Sequence, residues 1–200
     1  KMRGLNANGA RLKAQVAGRS IGVMMSFAGT AHPFALRPSW LSIKDEPWAV
    51  QLDYLRDSSF VGRLLEETPV FVGEFEQFVT QSYHKMFDVS AGYEPKPSES
   101  LLARARADGC SPESLALEIL RRDDNHGMLY FPLFNYSEGC LDPLHQLHQS
   151  DDILMGLSDA GAHCGAVCDG GMPTFMLTHW TRDREFALPL EDIVARQTRD

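Results

Sequence analysis

The chain has seven histidines, His32, His84, His126, His145, His148, His163 and His179, but no His-x-His pair and no His-Glu-x-x-His. Neither of the short motifs that bring two imidazoles to one metal is therefore present. Cysteine is scarce: Cys110, Cys140, Cys164 and Cys168 are too few and too scattered for the disulfide framework of a small secreted domain, so a reducing cytoplasm is the expected compartment. Cys164 and Cys168, beside His163, lack both the two-residue spacer and the second ligand pair of a structural zinc site. Positive charge is also short, with 19 Lys+Arg against 27 Asp+Glu and a net charge of -8. That balance excludes a surface built to neutralise phosphates, and nucleic acid is not an expected partner. No apolar run approaches the span of a bilayer, since even Ile21 to Ala31 is interrupted by Ser26, Gly29 and Thr30, and no membrane is expected. The N-terminus lacks the charged start, apolar middle and small-residue site of a signal peptide. It also lacks a methionine at position 1, so the protein is expected to begin upstream of Lys1.

What is present is the composition of an ordinary globular chain, 44% hydrophobic and 23% charged over 200 residues, enough for one domain or two small ones. Leu12 to Val16 reads as a short strand, with Ile21 to Phe27 extending or following it before Gly29 and Pro33 break the pattern. Apolar residues at mixed three and four spacing predict short helices over Pro47 to Leu55, Ser59 to Glu67 and Phe75 to Gln81. Tyr93 to Ser98 is a loop because two prolines so close cannot sit inside a helix. Ser111 is placed to cap a helix with Pro112 in its first turn, Glu113 at its positive end and Leu115, Ile119 and Leu120 on one face, running to about Arg122. Met128 to Phe134 predicts a strand buried on both faces, with a ladder gap at Pro132. A helix within Gly139 to Gln149, entered at Asp142 and Pro143, a strand at Ile153 to Leu157 and a closing helix over Leu190 to Arg196 complete the chain. Strand, helix and strand in that order predict a βαβ unit of a parallel sheet.

The run from Ile153 to His163 carries the most chemistry. An apolar strand there ends in Asp159, two small residues and a histidine, which is how an α/β barrel presents a catalytic acid at the C-terminal edge of its sheet. The same residues also suit an ordinary turn in which Asp159 caps the next segment. His145 and His148, three apart on one helix, could share a metal, although a solvated helical face is the favoured reading. Met24, Met25, Phe27 and Phe34 could wall an acyl pocket, with core packing favoured. Trp180 is expected to pack, with surface ion pairs from Arg182 to Arg184.

Gly156-Leu157-Ser158-Asp159-Ala160-Gly161-Ala162-His163, then Pro173-Thr174, Thr178 to Arg184 and Leu188 to Asp192, together resemble the C-terminal part of the N-acyl-D-amino-acid deacylase branch of the amidohydrolase superfamily. Gln15 to Arg19, His32-Pro33-Phe34, Leu55-Arg56-Asp57, Tyr93-Glu94-Pro95 and Asn135 to Gly139 fit the same pattern. The resemblance is strongest from Met128 onward. It implies an α/β chain holding the late strands of a (β/α)8 TIM barrel, with residues 37–127 as a large helical insertion. It implies a zinc cofactor held mostly by residues outside this chain, because the family's His-x-His pair and later histidines are not here. Asp159 would touch that metal and act as general base, then general acid, while a small-molecule amide is cleaved. Three strands do not close a barrel, so a missing N-terminal half or another chain is expected to cover the exposed sheet edges.

The chain departs from the family where substrate is bound. The family's carboxylate-gripping arginine aligns with Thr174, and Arg19 could compensate by binding a carboxylate in a fork, or could serve a structural ion pair. His163, four residues beyond Asp159, either borders the site or packs inward. The expected activity is hydrolysis of a linear amide, an N-acyl amino acid. The alternatives are a cyclic-amide hydrolase, dihydroorotase-like or hydantoinase-like, and a non-catalytic barrel fragment acting as an assembly module.

Overall fold

A computed structural model describes residues 2–70, 73–156, 165–166 and 169–199. Its first half runs α1 (Met2–Ala7), β1 (Ala14–Val16), β2 (Ile21–Met25), α2 (Pro38–Leu41), α3 (Trp48–Arg56), α4 (Ser58–Glu66), α5 (Glu74–Gln81) and β3 (Phe87–Asp88). The second half runs α6 (Leu101–Asp108), α7 (Pro112–Leu120), α8 (Arg122–Asn125), β4 (Leu129–Phe134), α9 (Asp142–His148), β5 (Ile153–Met155), α10 (Met172–Thr178) and α11 (Leu190–Thr198). The class is mixed α/β with small sheets, and among the described residues no helix is long and apolar enough to cross a membrane. The chain divides into two units, Lys1–Gly22 with Leu133–Asp200, and Val23–Pro132, and it passes between them within β2 and within β4. The stretch 37–127 lies inside the second unit.

In the first unit β1 and β5 pair in parallel, Ala14 opposite Ile153 and Val16 opposite Met155. The backbone extends the pairing at both ends, from Ala14 N to Asp152 O at 3.0 Å and from Gly156 N to Val16 O at 2.7 Å. Asn6 clamps the strand start, its amide donating to Leu12 O at 2.8 Å and to Asp152 at 3.0 Å. Arg196 on α11 donates to the carbonyls of Ser150 and Ile153, at 3.2 and 2.9 Å, so the closing helix is tied to the strand it covers. The core here is Tyr136, Leu141, Leu144, Met176, Trp180, Leu188 and Ile193, with Val16, Met155 and Phe175 against it. Among the described residues β5 has β1 as its sheet neighbour, whereas β4 lies between β2 and β3 in the other sheet. The strand, helix, strand order of β4, α9 and β5 is therefore not one βαβ unit. Local periodicity finds strands but not their partners, and β5 is matched to a strand far upstream.

The second unit is mainly helical. Ser111 caps α7 as expected, its Oγ accepting from Ser114 N at 3.1 Å, with Pro112 in the first turn. Asp57 caps α4, accepting from Ser59 N at 2.9 Å. The other end of α4 is closed by buried Arg37, which donates to Leu64 O and Leu65 O, both at 2.6 Å, and so neutralises the carbonyls a helix C-terminus leaves open. β3 pairs antiparallel with β4, Phe87 opposite Tyr130. Leu129, Tyr130 and Phe131 are buried as a two-sided strand should be, but Phe134 at its end is 57% exposed. The loop expected over 93–98 closes in a single 3-10 turn, Pro97–Glu99, because Pro97 sits at its first position where no backbone donor is needed. Asp123 (φ 51), Asp124 (φ 55) and Asn125 (φ 68) are consecutive left-handed residues inside α8, and Arg56 bonds Asp124 at 2.7 Å. Met25 and Phe34 pack in the core, as favoured over an acyl wall, while Met24 is half-buried and Phe27, 2% exposed, packs there with one edge on a cleft.

Candidate functional site

Because β1 and β5 are parallel neighbours, their C-terminal ends share one edge, where Gly156 donates to Val16 O and Ala17 follows β1. Three backbone groups after β1 are held firmly. Ala17 O lies 3.1 Å from His148 Nε2, Gly18 O accepts from Trp180 Nε1 at 2.6 Å, and Gly18 N lies 3.1 Å from Met172 Sδ. Gly18 has no room for a side chain, since a Cβ would come within 2.7 Å of Met176 Sδ. The next residue, Arg19, is fully buried and stands 3.2 Å from Asp169, itself buried. Its guanidinium also lies 5.7 Å from the centre of the Phe175 ring. Burial makes this pair costly to break, because either charge left alone would be desolvated without compensation.

The imidazoles of α9 correct the expectation of a solvated face. His148 is 2% exposed, and both rings pack on Trp180 with centroids 5.7 Å away, His145 stacked and His148 edge-on. The indole comes from the π-helical turn His179–Asp183 that follows α10, so no local pattern in α9 announces it. Desolvation lowers the pKa of His148, outweighing the rise from its bond to Ala17, and nearby Arg196 and His145 lower it further. The neutral ring must carry its proton on Nε2 to donate to the Ala17 carbonyl, leaving Nδ1 as a buried lone pair without a partner. Trp180 is fully buried and the ion pairs Arg182 to Asp183 and Arg184 to Asp142 lie beside it, as expected.

Asp159 and His163, the expected catalytic acid and site-edge histidine, lie outside the described residues, as do Cys164 and Cys168. Thr174 is exposed on α10, with its carbonyl accepting from Thr178 Oγ1 at 3.0 Å. Arg19 is thus buried against Asp169 while Thr174 faces out from α10. Sequence reading missed Asp169, since a lone acid in Asp169-Gly170-Gly171 carries no periodic signal. Among the described residues no group of three His, Cys, Asp or Glu side chains is arranged to hold a metal, so these residues alone do not make the expected zinc site. No family model, no curated protein and no solved structure matches the chain.

Proposed function

We propose that the chain is the late part of a (β/α)8 barrel in a metal-dependent amidohydrolase that cleaves a linear amide of the N-acyl amino acid class, with Asp159 as its proton carrier. The observation that supports this most is the parallel pairing of β1 and β5, whose C-terminal ends, Val16 and Met155, lie side by side as neighbouring strands of such barrels do at the face that carries their chemistry. Gly156 suits that edge, because a Cβ there would come 3.1 Å from Val16 O.

In this reading the Asp159 carboxylate accepts a proton from a water molecule as the water oxygen bonds to the amide carbon. It returns that proton to the nitrogen as the carbon–nitrogen bond breaks, giving a carboxylic acid and a free amine. The expected zinc would need ligands from segments other than the described residues, Asp159 included. The buried pair of Arg19 and Asp169 holds the segment after β1 in place beside that edge.

The test is an assay of the full-length parent, supplied with zinc, on N-acyl amino acids of both hands and on cyclic amides. Asp159→Asn should lower turnover by roughly a hundredfold or more while circular dichroism stays unchanged. Near-normal turnover in the variant would end the reading, and hydrolysis of rings alone would move it to the cyclic-amide class.

A further inference from the structure

A cleft of about 570 Å³ opens in the second unit, walled by Phe27, Leu36, Trp40 and Trp48, with Lys44 and Asp45 among its lining residues. That volume suits a small molecule, and the lining is of the aromatic and aliphatic kind that small-molecule sites use. One residue of the wall is out of keeping with the rest. His32 is 1% exposed, and neither of its ring nitrogens has a hydrogen-bond partner. Its ring is held by contacts alone, 4.4 Å from Trp40 and 5.0 Å from Phe27, both edge-on. A buried donor and a buried acceptor left unmatched are each unfavourable, so such groups call for an occupant that meets them.

The charges at the cleft limit what that occupant can be. Lys44 and Asp45 lie 3.3 Å apart and offset one another, so the lining presents no net charge from them. Gln51 is occupied in bracing the same loop, its amide donating to Lys44 O at 3.1 Å and Glu46 O at 2.7 Å. Burial keeps the His32 imidazole neutral, with a pKa of about 3. A charged ligand would lose its hydration here and gain no opposite charge in return.

We propose that this cleft binds an uncharged aromatic molecule whose ring lies among Phe27, Trp40 and Trp48 and whose single hydroxyl or amide meets His32. No hydrogen bond anchors the imidazole, so a ligand that meets it displaces none. The site belongs to the second unit and is independent of the amide-hydrolase reading.

The experiment titrates the full chain with 2-naphthol and with 2-naphthoate, following tryptophan fluorescence and the ring-proton resonances of His32. Saturable quenching by 2-naphthol with a shift of the His32 resonances is expected, and 2-naphthoate should bind at least tenfold more weakly. His32→Leu should weaken 2-naphthol roughly tenfold, while His32→Gln, which keeps a donor and an acceptor, should lose less. The proposal is overturned by absence of saturable binding, by naphthoate binding as well as naphthol, or by a folded His32→Leu that binds undiminished. Should that variant not fold, unmoved His32 resonances in the unaltered chain on adding 2-naphthol would overturn it equally.

Discussion

Burial takes His32 from its ordinary pKa of 6.5 down to about 3, so the native chain refuses a proton that the unfolded chain accepts. The sign follows directly: the contribution to stability is complete above about pH 6.5 and is lost as pH falls from there toward 3. A difference of this size corresponds to roughly 4 to 5 kcal/mol at the acid limit. Urea unfolding at pH 7 and pH 4.5 should show a smaller loss in His32→Leu than in the natural chain, and equal losses would mean that the ring protonates in place. Gly127 gives a sterner case, because a Cβ there would stand 1.8 Å from the carbonyl oxygen of Ile119, which is backbone and cannot step aside. Gly127→Ala should lower unfolding free energy by about 3 kcal/mol, read from the urea midpoint, and a change under about 0.5 would show that the α7 end relaxes. Neither property is legible in the sequence. His32 stands in a loop with no periodicity to mark it as interior, and Gly127 reads there only as punctuation between a helix and a strand.

Where elements begin and end was largely legible, since the signals are local chemistry: Ser111 before Pro112, Pro189 before α11, Asp142 with Pro143 at the start of α9. Which elements meet was not. The β1–β5 pairing joins strands separated by most of the chain, and the covering of His145 and His148 depends on an indole delivered by a π-helical turn. That indole ties α10's extension to the segment after β1 through its bond to the Gly18 carbonyl at 2.6 Å. Trp180→Phe keeps an aromatic filler but leaves this buried carbonyl without its donor. It should lower stability by about 2 kcal/mol, and a denaturant midpoint within error of the natural chain would show that the bond is dispensable.

The division into two units gives those two substitutions different reach. Under native conditions Gly127→Ala should speed hydrogen exchange of amides in α7 and β4 more than those in α9 and α11, and Trp180→Phe should do the opposite. Acceleration spread evenly over the chain in both variants would mean one cooperative block instead. As for the site, sequence reading proposed Asp159, which lies outside the described residues, from a strand that ends in small residues, and named Arg19 from its chemistry. It allowed Arg19 a structural ion pair, which the structure shows, but did not name Asp169 as the partner, because an ion pair between distant segments leaves no spacing to read.

The left-handed run at Asp123, Asp124 and Asn125 has a consequence for chirality. These positions hold the backbone in the basin that L-residues avoid and their mirror images prefer, so a D-aspartate at 123 would fit the native path better than the residue encoded there. Asp123→Gly, which has no handedness, should capture part of that benefit as a rise in melting temperature of a few degrees. Translation supplies only one hand of amino acid, and here the fold has settled on a shape that the other hand would have chosen.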